Sequence, residues 1–222
     1  MGMHQYIKSL SDLENIYRCP GKFKYQEHSV AAHSFKVTKI AQFLGTVEEH
    51  EGQTVNWQSL YEKALNHDYT ELFIGDIKTP VKYADPTLRA QLAKVEETMT
   101  AQFINSEIPT EFQEIYANRL KEGKDDTLEG KILSVADKVD LLYESFGEIQ
   151  KGNPESLFTE IFEESLMTIL LFKELASVSY FLENVLPELL SGDFTNQDEL
   201  RKISRRILNE HDVEVEQEVI KT

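Results

Sequence analysis

Cysteine, glycine, proline and long apolar runs are all scarce in this sequence, and each scarcity excludes a class of protein. The single cysteine, Cys19, excludes an intramolecular disulfide and is typical of a reducing compartment. Ten glycines and six prolines in 222 residues favour helices over an all-β fold with many tight turns. The longest apolar region, around residues 166–172, is too short to cross a bilayer, and the N-terminus shows no signal-peptide pattern.

Basic residues are also few, so the charge is one-sided: 39 acidic side chains against 23 basic ones give a net charge of -16. Such a chain is poorly suited to bind a nucleic-acid polymer or an anionic membrane. It can still hold one nucleotide in a locally basic or metal-bearing pocket. With 41% hydrophobic residues the chain can form one sizeable core. We therefore expect a soluble, cytoplasmic protein.

Apolar residues recur at helical spacing along most of the chain, which predicts an all-α fold. The predicted helices cover about 3–17, 29–47, 55–68, 86–105, 110–121 and 128–150. Two or three more helices are expected between 155 and 210, with breaks near Pro187 and Gly192. No internal repeat or linker is evident. We predict one helical domain over residues 1–190, followed by a C-terminal helix and acidic tail over 191–222.

The segment from Ala64 to Asp76 carries the clearest chemical pattern, because it places His67, Asp68, Glu71 and Asp76 within ten residues. On a helix, residues three and four apart share a face, so the first three of these side chains can point toward one place. His and Asp are good ligands for a divalent ion, and a nearby Glu can act on metal-bound water. The His-Asp pair alone is weak evidence, since a second copy at 211–212 lies in an acidic tail.

Three further residues are candidates, and each has an ordinary alternative. His33 lies in the apolar stripe of a helix that follows the predicted N-cap Ser29, where a histidine is often a core residue. Asp137 lies beside the apolar stripe of helix 128–150 and needs a partner if it is buried, or else points outward next to Lys138. Arg18 belongs to a cationic loop over 18–28 that can equally be a solvated loop.

The order of these residues resembles that of the HD-domain metal phosphohydrolases, in which a His, a His-Asp pair and a distant Asp bind the metal. Within that group the sequence looks like the YfbR-type 5'-deoxynucleotidases. The likeness covers roughly residues 1–185 in order and spacing, and it is most specific from His67 to Tyr83. The matching positions are Arg18, His33-Ser34, His67-Asp68, Glu71, Gly75-Asp76, Thr79-Pro80-Val81-Lys82-Tyr83 and Ala136-Asp137.

The resemblance implies a single helical bundle around one divalent ion, which can be Co, Mn, Mg, Zn or Fe. The implied metal ligands are His33, His67, Asp68 and Asp137. Two imidazoles and two carboxylates leave little net charge on the complex and room for water or phosphate oxygens.

The resemblance also implies roles for the neighbouring residues. The implied catalytic residues are Glu71 and Asp68, and Glu71 would orient or deprotonate the attacking water or pass the proton to the leaving 5'-oxygen. Arg18 would bind the 5'-phosphate, and Asp76 and Thr79 would face the sugar. The sequence departs from the family at Cys19, where the family commonly has Trp, and at Ala32, where it commonly has Glu.

The expected activity is hydrolysis of deoxyribonucleoside 5'-monophosphates to deoxyribonucleoside and phosphate. Two alternatives stay open: another HD-type nucleotide phosphohydrolase or phosphodiesterase, and a non-catalytic helical module that binds metal and nucleotide. The family resemblance also implies a homodimer. Apolar side chains at Phe158, Phe162 and Phe172 are candidates for its interface, although ordinary core packing explains them equally well.

Overall fold

The computed structural model describes residues 2–77, 85–121, 123–194 and 196–211. Regular structure in these ranges is helical, and their only β pairing is an isolated antiparallel bridge between Tyr17 and Ser29. The predicted all-α class is therefore confirmed. None of the described helices is long and apolar enough to cross a membrane.

The chain divides into two compact units. The first contains the described residues up to Lys22, Glu27–Lys36 and the described part of Glu62–Lys124, whereas the second contains Phe23–Gln26, Val37–Tyr61 and the described residues from Asp125 on. The domain boundaries predicted above, 1–190 and 191–222, stay a prediction.

The helices are α1 (His4–Leu13), α2 (Val30–His50), α3 (Trp57–Asn66), α4 (Glu71–Ile74), α5 (Pro86–Glu107), α6 (Gln113–Arg119), α7 (Leu128–Gln150), α8 (Ser156–Leu170), α9 (Ala176–Tyr180, Phe181–Val185 and Leu186–Leu190) and α10 (Gln197–Glu210).

Short polar side chains determine where several helices begin. The Ser29 hydroxyl accepts the N–H of Ala32 and so caps α2, as its sequence context predicts. Asp85 accepts two N–H groups in the first turn of α5, where Pro86 occupies the first helical position and needs no acceptor. Thr127 caps α7 in the same way. These caps explain why the predicted starts of α2, α5 and α7 agree closely with the structure.

The first unit packs α1, α4, α5 and α6 around one apolar core. Tyr69, which directly follows the His-Asp pair, belongs to this core and is 3% exposed. The Ser9 hydroxyl donates to the Tyr6 carbonyl at 2.7 Å, so Ser9 Oγ accepts the Tyr69 hydroxyl at 2.6 Å. The segment after α3 is thereby attached to α1. The buried residues of this core are Leu13, Val30, Tyr69, Ile104, Ile108 and Leu120.

The second unit is organised by α7, which packs along α8, and by α10, which also packs on α8. Phe158 and Phe162 on α8 are 4% and 0% exposed. Both rings are therefore part of the core, and the alternative explanation for them is confirmed. They cannot form an exposed dimer surface.

The predicted helix break near Pro187 is wrong, because α9 continues through it. The helix changes to π-type hydrogen bonding over Phe181–Val185 and resumes over Leu186–Leu190. Proline lacks an N–H and its ring clashes with the carbonyl four residues earlier, so a wider turn upstream lets the helix continue. The second predicted break, near Gly192, is present between α9 and α10.

Buried carboxylates in the second unit bind backbone N–H groups of distant segments. Glu48, at the end of α2, accepts the N–H of Ser177 at 2.7 Å in the first turn of α9. Glu129 accepts the N–H of Asn56 at 2.7 Å, just before α3. Glu148 binds the segment 23–26 in the same manner. A buried carboxylate requires such partners, since an unpaired charge in the interior is costly.

Candidate active site

Two buried histidines of the first unit face each other, with their Nε2 atoms 3.2 Å apart. His33 is fully buried in the first turn of α2, and His67 is 6% exposed. His67 Nδ1 lies 2.9 Å from the Ala64 carbonyl oxygen, which can only accept, so Nδ1 carries the ring proton. Nε2 is therefore the ring nitrogen of His67 that faces His33 and is placed to bind a metal ion.

The helix predicted over 55–68 ends before His67, so the continuous helical spacing assumed for His67, Asp68 and Glu71 is wrong. Helix α3 ends at Asn66, residues 67–70 form a turn, and the one-turn helix α4 begins at Glu71. The turn buries Tyr69 in the core of the first unit, whereas Asp68 on one side of it stays partly exposed. A turn, and not a continuous helix, therefore brings these side chains to the same region.

Asp68 completes a triangle of donor atoms with the two histidines. Its Oδ2 lies 3.3 Å from Nε2 of His33 and 3.3 Å from Nε2 of His67. Three ligand atoms at tetrahedral angles around a Zn²⁺-like ion, each about 2.0–2.1 Å from it, lie about 3.3 Å apart. The donor set and its spacing therefore fit a divalent metal ion.

The ionisation of Asp68 suits a ligand. Burial alone would raise the pKa of Asp68, but the charge of His67 and hydrogen bonds with His33 and His67 outweigh burial. The pKa of Asp68 therefore lies well below its usual range. The carboxylate stays ionised near neutral pH, and metal binding needs a deprotonated ligand.

Arg18 lies beside this triangle. Its Nη1 donates to Asp68 Oδ2 at 3.3 Å, and its side chain is 13% exposed. The Arg18 N–H donates to the His28 carbonyl at 2.9 Å, next to the bridge between Tyr17 and Ser29. These backbone bonds attach the loop before α2 and place a guanidinium, which can bind phosphate through two parallel bonds, next to Asp68.

Glu71 is the first residue of α4 and brings a second carboxyl into this region. Burial, and then the negative charges of Asp68 and Asp76, raise the pKa of Glu71 to about 8, while Arg18 opposes them. Its Oε2 atom is buried and has no hydrogen-bond partner within the described part of the chain. A buried oxygen of this kind is expected where a ligand or water supplies the partner.

Asp76 is bound to the loop that carries Arg18. Gly75 ends α4 with φ +73°, a conformation that glycine adopts without strain, and so turns the chain toward Asp76. Asp76 Oδ2 accepts the backbone N–H of Cys19 at 2.8 Å. The family resemblance implies a sugar contact for Asp76, and the local sequence contains no signal for its bond to Cys19.

Residues 5–189 match the sequence profile of the YfbR-like 5'-deoxynucleotidases. The chain belongs to this family. It is 28% identical over 200 residues to the 5'-deoxynucleotidase YfbR of Escherichia coli O1:K1, covering 89% of this chain and 98% of that protein. A 5'-deoxynucleotidase of Photorhabdus laumondii is 29% identical over 154 residues, which cover 69% of this chain and 78% of the relative.

A solved structure gives the same classification. The crystal structure of an HD-domain phosphohydrolase from Listeria innocua has a TM-score of 0.90 and 66% identity, over 95% of this chain and 100% of that one. This member of the YfbR-like family is therefore an HD-domain hydrolase. HD-domain phosphohydrolases depend on metal, and His33, His67 and Asp68 form a group that can bind one.

The fourth metal ligand that the family resemblance implies, Asp137, belongs to the second unit and is 5% exposed on α7. The alternative that it points into solvent is wrong. Asp140 and Glu144, three and seven residues further on, are also buried. Neither is among the candidates predicted from the sequence, although their spacing from Asp137 places them on nearby turns of the same helix. Coordination by Asp137 stays a prediction, and Thr79 lies outside the described residues.

Proposed function

We propose that this protein is a divalent-metal-dependent phosphomonoesterase that hydrolyses deoxyribonucleoside 5'-monophosphates to deoxyribonucleoside and phosphate. The observation that carries the proposal is the triangle of His33, His67 and Asp68 with the guanidinium of Arg18 on the same Asp68 oxygen. A metal group beside a phosphate-binding cation is the arrangement that phosphoryl transfer requires. The names of the curated relatives supply the substrate class.

The metal would be held by His33, His67 and Asp68, with Asp137 as the proposed fourth ligand. When bound, a divalent ion lowers the pKa of a water molecule and neutralises charge on the transferred phosphoryl group. Imidazole and carboxylate donors together suit Mn, Co, Fe and Zn, and Mg accepts the carboxylates. Phosphate release by the protein reloaded with each metal separately will identify the ion that supports activity.

The remaining residues would bind the substrate and move a proton. Arg18 binds two oxygens of the 5'-phosphate. Water attacks phosphorus, and the bond between phosphorus and the 5'-oxygen breaks. The ionised form of Glu71, which predominates above its pKa of about 8, accepts the proton of the attacking water and returns a proton to the leaving 5'-oxygen. Its Oε2 atom, which is buried and has no hydrogen-bond partner within the described part of the chain, would receive that proton.

Asp76 and Thr79 would recognise the sugar. Asp76 would accept a hydrogen bond from a sugar hydroxyl through the oxygen that does not bind Cys19. The family resemblance implies that the loop that contains Thr79 disfavours a 2'-hydroxyl and so disfavours ribonucleotides. At Cys19 the chain lacks the aromatic ring that the family commonly carries there. We therefore expect weak discrimination among the four bases.

The test is phosphate release by metal-free protein reloaded with Mn²⁺, Co²⁺, Mg²⁺, Zn²⁺ or Fe²⁺ one at a time. The substrate panel contains the deoxyribonucleoside 5'-monophosphates, their ribonucleotide counterparts, 3'-monophosphates and cyclic nucleotides. We expect release from the first group with at least one metal, and a loss of at least 10² in kcat for Glu71→Ala. Glu97→Ala, an exposed residue on α5, is the matched control.

Other outcomes would contradict the proposal in distinct ways. Release that persists in Glu71→Ala would remove the role given to that carboxyl. Hydrolysis of cyclic nucleotides alone would indicate a phosphodiesterase. Stoichiometric metal binding without release from any substrate would indicate a binding module.

A homodimer, which the family resemblance implies, and a cytoplasmic location, which the composition favours, complete the proposal. Light scattering coupled to size-exclusion chromatography should give a mass near twice 25.6 kDa. A monomer at micromolar concentration would contradict the first part. Recovery of the native protein in the membrane or extracellular fraction of its cells would contradict the second.

A further inference from the structure

We infer that Asp76 is a positioning residue for Arg18: by accepting the N–H of Cys19, it fixes the direction in which Arg18 meets the phosphate. The inference rests on the proposed function and adds to the sugar contact proposed above. The Asp76 Oδ2 to Cys19 N distance is 2.8 Å, and the two residues are 57 positions apart. A bond from a carboxylate to a backbone N–H is charge-assisted and is stronger than a neutral one.

Arg18 is held through the two peptide groups that flank it. Its own N–H donates to the His28 carbonyl, and the next N–H, that of Cys19, donates to Asp76. The backbone on both sides of the Arg18 Cα atom is therefore fixed by residues elsewhere in the chain. A guanidinium that must reach one phosphate benefits from such fixation, because a displacement of about 1 Å lowers the efficiency of a site strongly.

The second of these attachments is needed because Cys19 has an unfavourable backbone. Its φ angle is +51°, in the left-handed region that residues other than glycine and asparagine rarely adopt. Such a conformation persists only where surrounding contacts hold it. The Asp76 bond is a contact of this kind. Without it, Cys19 would relax toward negative φ and turn Arg18 away from Asp68.

Charge and position make opposite predictions for phosphate binding. Removing the carboxylate of Asp76 removes negative charge near an anion, so charge alone would strengthen phosphate binding. A sugar contact alone would leave the binding of inorganic phosphate unchanged. If Asp76 holds Arg18 in place, its removal displaces the Arg18 guanidinium and weakens the binding of inorganic phosphate, which has no sugar.

The single cysteine of the chain gives a direct readout, since selective labelling with ¹⁵N-cysteine produces one backbone amide signal. The protein is loaded with diamagnetic Zn²⁺, and Asp76→Ala, Asp76→Asn and the control Asp12→Ala, an exposed residue of α1, are compared. In Asp76→Ala we expect the Cys19 amide signal to move upfield and to exchange faster. The affinity for inorganic phosphate, measured by calorimetry, should fall about tenfold. Asp76→Asn keeps an acceptor oxygen and should retain most of both properties.

Two results would overturn the inference: a Cys19 amide signal that does not move in Asp76→Ala, or unchanged phosphate affinity in that variant. Weaker nucleotide binding together with unchanged phosphate binding would make Asp76 a sugar contact only. Failure of the proposed function looks different, because the wild-type protein would then release no phosphate from deoxyribonucleotides. The amide and phosphate measurements do not depend on turnover and still decide the inference.

Discussion

The contacts of Glu148 determine how much the free energy of unfolding should fall when its carboxylate is replaced. The carboxylate is 1% exposed and accepts three hydrogen bonds. Oε2 accepts the N–H of Tyr25 at 2.8 Å and Nδ2 of Asn153 at 2.7 Å, while Oε1 accepts the N–H of Gln26 at 2.9 Å. In Glu148→Gln the amide offers one oxygen and one NH₂ group, so at least one of these donors loses its acceptor.

The expected loss follows from the number of bonds involved. A hydrogen bond to a charged group contributes about 1.5–3 kcal/mol, so the loss of one bond and of the charge on the others should cost about 2–4 kcal/mol. For a chain of this length the corresponding fall in Tm is on the order of 10 °C. Glu160→Gln, an exposed change of the same type on α8, should have almost no effect.

The loss should also depend on pH. Burial raises the pKa of Glu148, but the bonds from Tyr25, Asn153 and Gln26 outweigh it, and the pKa lies below its usual value. A lowered pKa in the folded state stabilises the protein above the unfolded pKa of about 4.3, and this stabilisation is lost as pH falls through the folded pKa. Urea unfolding should therefore show the full difference at pH 7 and a smaller one near pH 3. An equal loss at both pH values, or none at pH 7, would refute the reasoning.

Three further predictions concern the first unit. Tyr69→Phe should lower the free energy of unfolding by about 1 kcal/mol, since only the bond to Ser9 is lost; equal urea midpoints would contradict this. Arg18→Lys keeps the charge but loses the paired donors, so steady-state kinetics should show a KM for deoxyribonucleotides raised about tenfold, and an unchanged KM would count against the phosphate contact. His67→Ala should abolish stoichiometric metal retention after dialysis, as measured by elemental analysis, and retention equal to that of wild type would exclude His67 as a ligand.

The helices could be predicted from the sequence because their starts are set by local chemistry. Ser29 and Thr127 cap α2 and α7 as their side chains suggest, and the apolar spacing within those helices follows their buried faces. One error arose where a local change in helix geometry compensates for a proline. The sequence around Pro187 is typical of a helix end, yet the π-type turn before it carries α9 onward.

The candidate site was predictable in its residue types and less so in its geometry. His33, His67 and Asp68 do meet, which their order and the family resemblance indicated. The bond from Cys19 to Asp76 could not be predicted, since it depends on one left-handed residue and on a turn 57 positions away. No propensity or spacing rule joins two such segments.

The carboxylates that bind distant backbone groups have a consequence for the kinetics of folding. Glu129 and Asn56 are 73 positions apart, and Glu48 and Ser177 are 129 apart. Bonds that close such long loops form only after most of the entropy of loop closure has been lost. We expect them to be absent from the folding transition state, so that Glu48→Ala accelerates unfolding in stopped-flow experiments and leaves the folding rate nearly unchanged. Part of the strong acidity of this chain would then determine how long the native state lasts.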